Sequence, residues 1–521
     1  MSPRRPDKGW TFAFVLCSVC VHMAATKLGS LRGIGYMTVT TDDLELSTKF
    51  YTEVLGGMQV KELSFSLHGD DHYYRYFQKE ILEARTQGVD PQSLHVPDIS
   101  DSGDYEVRGE FVVFGNGIIQ LQTFSKRGNH SEVFRAHEPH TSPAIVPAPH
   151  FCFWVKDSAN FNHYIHELEA NAARLGMPNV RVNRPVPLAS ESDRATVPEE
   201  KLGVTFTDGD FAGVSFAYFK GPTGEQLELF QILNQSRYHV GEEWCKRRAV
   251  SPAFVSNYSD NSYKRNAGYS GQLYGLFQFG TRTADLATSV KFYTQVLGAQ
   301  LIQKPIQAVN VRGDDAAYML FHKEIWDALR WKTSRRDIGI ADLWDSGNNR
   351  LDHRFNLFDN YVVETLQYTD GRDLSAPKFN PRWNHSSMAY SGDMSVSFLI
   401  DEASDFNSVV RDVEVSAKAK GFTDVLANRP VNVSSLGESV GLGQYSRPIA
   451  SGPLKGLNYV FFKGWSGEHF GFVQFKDEAK AKLKAALLQY GAMSTAFPET
   501  NPWTSDGFDQ FCSAYTDPIV G

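Results

Sequence analysis

Gly275-Leu276-Phe277-Gln278-Phe279-Gly280-Thr281-Arg282-Thr283-Ala284-Asp285, followed closely by Lys291-Phe292-Tyr293-Thr294-Gln295-Val296-Leu297-Gly298, is the stretch from which this chain is best read. Its grammar is a strand, a polar turn, and a helix that stops at a glycine. The same grammar stands near the start of the chain. There it runs Ile34-Gly35-Tyr36-Met37-Thr38-Val39-Thr40-Thr41-Asp42-Asp43, then Lys49-Phe50-Tyr51-Thr52-Glu53-Val54-Leu55-Gly56-Gly57. A chain that repeats itself is read as a repeat before anything else.

Further pairs extend the match. Gly69-Asp70-Asp71 returns as Gly313-Asp314-Asp315, and Asp101-Ser102-Gly103 as Asp345-Ser346-Gly347. Asn183-Arg184-Pro185-Val186 returns as Asn428-Arg429-Pro430-Val431, and Phe219-Lys220-Gly221 as Phe462-Lys463-Gly464. The pattern predicts strands over 34–40, 73–77, 109–114 and 118–124, with a helix over 44–55. A second unit follows, with a strand from Pro149, a helix over 160–175 ended by Gly176, and closing strands over 214–219 and 226–232. Strand, helix, then several strands is a βαβββ module, so each half holds two. The expected division is a leader over 1–28, module one over 31–128, module two over 145–234 and a linker over 235–270 rich in Asn, Ser and Tyr. Module three then spans 271–372, module four 390–476, and a helix and tail 477–521. The repeated Gly-Asp-Asp reads as a turn between strands, and the Phe-Tyr pairs as helix-to-sheet core. His130 and His385, each within Asn-His-Ser, read as linker residues.

Composition bounds the function. The 521 residues carry a formal net charge of -8, and 42% are hydrophobic. That balance excludes the basic footprint of a nucleic-acid-binding protein. Arg4, Arg5 and Lys8 precede an apolar run from Trp10 to Val21, and the small Ala24-Ala25 follow. This is the order of a secretory signal peptide, too short for a standard membrane span of about 20 residues; the alternatives are a short anchor and an organelle-directed leader. No later stretch has the length and apolarity of a span. Glycosylation sequons at Asn129, Asn234, Asn257, Asn384 and Asn432 agree with secretion. Beyond the leader only Cys152, Cys245 and Cys512 remain, an odd number, so at least one thiol is free or paired between chains.

The opening strands, the Phe-Tyr-x-x-Val-Leu-Gly helices and the closing strand after the Gly221-Pro222-Thr223-Gly224 turn resemble the vicinal-oxygen-chelate superfamily of glyoxalase I, extradiol dioxygenases and antibiotic-resistance proteins. The resemblance implies an α+β fold of four βαβββ modules pairing into two cup-shaped sheets. It also implies metal ligands on the first and last strands of each module. The matching positions are Tyr36 and Gln120, His150 and Glu228, Gln278 and Glu364, and Ser395 and Gly471. Pairing modules one with two, or three with four, leaves poor metal sites. Pairing two with three gathers His150, Glu228, Gln278 and Glu364, which resembles the ligand set of eukaryotic glyoxalase I. It leaves Tyr36, Gln120, Ser395 and Gly471 as a degenerate second cup.

Electrostatics favours the same pairing, because two buried carboxylates without a cation repel and one must stay protonated. One imidazole, one amide and two carboxylates suit Zn, Ni, Co or Mn. Alternate strand residues share a face, so Arg282 points into the cup with Gln278, and Cys152 and Trp154 line it with His150. The resemblance implies that Arg282 binds the anionic substrate and that this lining faces it. A strand histidine, glutamine or arginine also serves a purely packing role in many sheets. It is Glu228 and Glu364, each alone in an apolar strand, that demand partners.

The expected activity is that of a metal-dependent, glyoxalase-like lyase or isomerase. It would act through an enediolate on a small substrate with vicinal oxygens, with Glu228 or Glu364 shuttling the proton. Two departures weaken a glutathione substrate: Val146 stands where the family places an arginine, and Tyr368 where it places an asparagine. The alternatives are an extradiol-type Fe dioxygenase, which needs a second histidine in the cup, and a non-catalytic secreted binding protein on the same scaffold. One chain suffices for a complete site, and no nucleic-acid partner is expected.

Overall fold

The fold is that of a computed structural model, in which residues 31–134, 149–249, 271–302, 311–335, 338, 340–370, 388, 393–492, 494, 496–497 and 512 are described. The leader, most of the expected linker, Val146, Asn257, Asn384 and His385 lie outside them.

Two nine-stranded curled sheets carry the molecule. One joins modules two and three in the order Gln300–Leu301, Asn349–Leu357, Val362–Asp370, Leu273–Arg282, His150–Val155, Gln226–Ile232, Val214–Lys220 and Arg181–Val182, with the ninth strand, Val204–Thr205, also paired to Val214–Lys220. The other joins modules one and four through Leu31–Thr40 and Met394–Ile400. In both, the two opening strands lie antiparallel at the centre, and each is flanked by its own closing strand in parallel.

Local signals account for the start of each half. Asp43 and Asp285 cap the helices Leu44–Lys49 and Leu286–Lys291, accepting from Leu46 N at 2.9 Å and Thr288 N at 3.0 Å. Each helix then widens into a π turn, Phe50–Val54 or Phe292–Val296, that buries the Phe-Tyr pair. Tyr51 and Tyr293 reach out of their modules to the buried carboxylates of Glu225 and Glu468, at 3.3 and 2.5 Å.

The expected strand over 73–77 is instead the middle of a helix, Asp70–Gln87, and its counterpart is Asp314–Trp331. Aromatic residues favour strands only where a pleated surface receives them. Here Tyr73, Tyr76, Phe77, Glu80, Ile81 and Ala84 are buried at helical spacing. Gly-Asp-Asp is therefore not a turn between strands but a helix start. Gly69 and Gly313 adopt φ of 120° and 122°, conformations that glycine alone takes without strain. Asp70 and Asp314 accept from the backbone N of Asp101 and Asp345, both at 3.1 Å. The repeated Asp-Ser-Gly and Gly-Asp-Asp recur together because they bind each other.

The remaining repeated motifs fasten these helices over the sheets. Lys220 pairs with Glu324 at 3.0 Å and Lys463 with Glu80 at 3.1 Å, all four buried or nearly so. Asn183 donates to Met319 O at 2.7 Å, just before Phe321 breaks the helix with φ -127° and ψ 15°. Asn428 donates to the carbonyls of Arg75 and Tyr76 at 2.9 and 3.0 Å. Arg184 and Arg429 instead hold other helices, Phe161–Arg174 and Phe406–Ala419, through Glu169 and Glu414 at 2.6 and 2.9 Å.

The linker reading leaves no element after 234, yet Asn234–Arg247 is a helix. Its polar composition belongs to one face, while Val240, Trp244 and Cys245 are buried on the other. Cys245 is disulfide-bonded to Cys512, and among the described residues the free cysteine is the buried Cys152. His130 sits in the short strand Asn129–Val133, not in a linker, 3.1 Å from Glu106. Among the described residues no helix is long and apolar enough to cross a membrane.

Candidate metal centre

The sheet of modules two and three aligns its central strands so that Gln278 lies opposite Cys152, Cys152 beside Glu228, and Glu364 beside Gly280. Strand alternation then aims His150, Glu228, Gln278 and Glu364 at one point on the concave face. Gly280 makes room for this. A Cβ there would lie 1.8 Å from Cε1 of His150, so only glycine lets the ring cross the neighbouring strand.

His150 Nε2 stands 3.3 Å from both Glu228 Oε2 and Glu364 Oε2. Gln278 Nε2 donates to the same two oxygens, at 2.9 and 2.7 Å. Tyr218 adds its hydroxyl 3.5 Å from His150 Nε2. All four expected ligands are buried, the most open being Glu228 and Glu364 at 3% exposure. Burial works against a charged imidazole, but hydrogen bonds and charge from Glu228 and Glu364 outweigh it and raise His150 to about 9. Burial also opposes ionisation of the two carboxylates. In Glu364 hydrogen bonds from His150 and His353 prevail and hold it down to about 2. In Glu228 burial prevails and raises it.

The donor set fits a cation. His150, Glu228 and Glu364 form a buried group whose ligand atoms lie within 4.8 Å of one another and could hold a metal ion. Gln278 leaves its Oε1, the end that serves a cation, without a hydrogen-bond partner although it is buried. Among the described residues no other group of histidine, cysteine and carboxylate side chains converges in this way.

Around this point lie the expected substrate residues. Arg282, 1% exposed, stacks its guanidinium 3.6 Å from the centre of the Tyr368 ring, and its Nε and Nη1 have no hydrogen-bond partner. Burial lowers it to about 10, still cationic at neutral pH. Burial and then the charges of Glu228 and Glu364 push the Cys152 thiol well up, so it lines the cup as a neutral group and not as a reactive thiolate. Trp154, on the same strand, is 1% exposed. It packs edge-on against Trp244 and Phe277, with ring centres 6.1 and 5.0 Å away, and forms an aromatic floor with the helix Asn234–Arg247.

His353, in the strand Asn349–Leu357, carries no expectation from the sequence. Its Nδ1 lies 2.6 Å from Glu364 Oε1. The available signal was alternation: His353 and Phe355 share a face with Glu364 across the hairpin.

The other cup differs in kind. Tyr36 packs edge-on against Phe111 and Phe475, with ring centres 5.6 and 6.3 Å away. Burial, opposed by a hydrogen bond with Ser397, pushes the Tyr36 hydroxyl up to about 12. Gln120 accepts from Thr38 Oγ1 at 3.0 Å. Ser395 is buried with its hydroxyl unpartnered, and a Cβ on Gly471 would meet Ser397 Oγ at 2.4 Å. These four positions offer neither an imidazole nor a carboxylate. Of the sequons, Asn129, Asn234 and Asn432 are exposed.

No protein-family model matches the sequence, and no curated protein matches it. Solved structures are similar to the fold. Glyoxalase I from Zea mays shares 13% identity, with 88% of this chain and 96% of that chain covered and a TM-score of 0.39. A 4-hydroxymandelate synthase variant from Streptomyces coelicolor shares 10%, with 88% and 98% covered and a TM-score of 0.22. A 2,3-dioxygenase from a Pseudomonas shares 11%, with 86% and 93% covered and a TM-score of 0.20. All three are enzymes of the vicinal-oxygen-chelate superfamily.

Proposed function

We propose that this protein is a metal-dependent lyase or isomerase acting on a small, anionic substrate with two adjacent oxygens. The observation that carries the reading is the convergence of His150 Nε2, Glu228 Oε2 and Glu364 Oε2 beside an unpartnered Gln278 Oε1. His150, Glu228, Gln278 and Glu364 would hold one divalent ion of the Zn, Ni, Co or Mn type. When bound, such an ion supplies Lewis-acid polarisation of vicinal oxygens.

The chain's own residues supply the rest. Arg282, a buried guanidinium with open donors, binds the anionic end of the substrate. The Trp154 and Trp244 floor excludes water. Glu364 is fixed by His150, His353 and Gln278. Glu228 lacks the His353 contact, which leaves it as the carboxylate to take a proton from one carbon and return it to the next. A dioxygenase needs a second imidazole at the ion, and His353 does not provide it. Its Nδ1 is engaged by Glu364, outside the converging group. The Cys245–Cys512 disulfide accords with an oxidising compartment, as the leader does.

Proton exchange tests the reading on simple model substrates. The metal-loaded protein, offered a panel of α-hydroxycarbonyl acids in D2O, should exchange the carbon-bound hydrogen, followed by NMR. Glu228→Gln should abolish exchange while retaining metal. Exchange that persists in Glu228→Gln would remove that residue from the proton path.

A further inference from the structure

The two carboxylates of the centre are not equivalent, and the difference is His353. Its ring is 7% exposed and is held between Phe211, stacked with centres 5.5 Å apart and planes at 22°, and Phe355, edge-on at 4.9 Å. From this slot Nδ1 reaches Glu364 Oε1 at 2.6 Å, while the other oxygen of that carboxylate is the one turned to His150. Glu364 Oε2 faces His150 Nε2 at 3.3 Å and Gln278 Nε2 at 2.7 Å. His353 Nε2 is buried without a partner, so no protein contact competes with Glu364 in setting the ring's tautomer.

We propose that His353 is a positioning residue for the metal centre. By donating from Nδ1 to Oε1 it ties one oxygen of Glu364 and presents the other, Oε2, as a single, oriented ligand atom. The inference rests on the metal-binding reading above and deepens it. A carboxylate with both oxygens free can swing to bind a cation through either or both. A carboxylate anchored by an aromatic-clamped imidazole cannot, and outer-shell hydrogen bonds of this kind set both ligand orientation and affinity. At Glu228 the corresponding partner is the weak thiol donor of Cys152, so the imidazole anchor distinguishes Glu364 from Glu228.

Cobalt supplies the test, because its visible absorption reports coordination directly. Chelator-stripped full-length protein is titrated with Co2+ as wild type, His353→Phe, His353→Asn and His150→Ala. Thermal unfolding of each metal-free protein serves as the fold control. His353→Phe keeps the aromatic slot filled but loses the donor. Its Co2+ affinity should fall about 10- to 100-fold, with a changed absorption spectrum as Glu364 engages through both oxygens. His353→Asn restores an N–H where Nδ1–H stood and should return both affinity and spectrum towards wild type. The role is overturned if His353→Phe binds with wild-type affinity and spectrum, or if His353→Asn is as impaired as His353→Phe. Failure of the wild type to bind Co2+, or retention of binding by His150→Ala, overturns the metal reading itself and this role with it.

Discussion

A methyl group at Gly280 would stand 1.8 Å from Cε1 of His150 and 2.3 Å from Nε2. Gly280→Ala therefore displaces the imidazole. It should weaken metal binding by about 10- to 100-fold, by analogy with loss of an orienting contact, and destabilise the fold by about 1–3 kcal/mol through overpacking. Metal titration and chemical denaturation measure the two effects. A second single-residue case lies in module four. Burial, opposed by the Tyr293 hydrogen bond, raises Glu468 to about 7. A raised carboxyl pKa means that the folded state holds the proton more tightly. Its stabilising contribution is complete below the ordinary value near 4.5 and is lost as pH climbs through about 7. Glu468→Gln keeps an acceptor for Tyr293 but no charge. It should raise thermal stability at pH 8, by up to about 3 kcal/mol at about 1.4 kcal/mol per pKa unit, and do little at pH 4. Equal effects at both pH values would rule out that charge cost. At this scale the sequence exposed the anomalies: a Glu in each apolar closing strand, a His opening module two, and an Arg on the Gln278 face. It could not expose His353 or Gly280, whose importance arises only when hairpin register and strand pairing set them against a ligand.

The aromatic residues of the helix Asp70–Gln87 suggest a strand, but local propensity is weak against acids at a helix start and burial at helical spacing. Once it is a helix, every repeated motif that had no role acquires one: Gly-Asp-Asp begins the helix, and Asn-Arg-Pro-Val and Phe-Lys-Gly clamp it. On the sheet of modules two and three, Lys220 and Glu324 are 9% and 10% exposed in their side chains, so removing Lys220 strips the buried Glu324 of this cation. Lys220→Met should cost about 3–5 kcal/mol. The loss should appear first as faster amide exchange across Asp314–Trp331, with the central strands still protected. Slow exchange there, equal to the strands, would show that the ion pair does not fasten the helix. The π turns and the helix Asn234–Arg247 were likewise not legible in the sequence. The first depends on a packed Phe-Tyr pair. The second presents a mostly polar face that resembles a linker until Trp244 is seen on the cup floor.

At the scale of the molecule, the two halves exchange parts. Asn116, from a hairpin of module one, holds the backbone N and O of Leu276 in module three at 2.8 and 2.7 Å. Asn360, from module three, holds those of Ile34 in module one at 2.9 and 2.7 Å. These reciprocal clasps stitch one sheet to the other. The metal centre crosses the same division, with His150 and Glu228 from the first half and Gln278 and Glu364 from the second. Halves produced separately should bind no metal, and mixing them should restore it. Duplication was legible because the repeats are in the sequence; the ligand set favoured pairing two with three, and the sheet order decides it. The clasps were not legible, because an Asn in a turn carries no mark of what it reaches. The most direct test is metal analysis of the purified protein and three variants. The account predicts one divalent ion per chain, lost alike in His150→Ala and Glu364→Ala and kept in Tyr36→Phe. A wild type without metal, or loss in Tyr36→Phe with retention in Glu364→Ala, would contradict it.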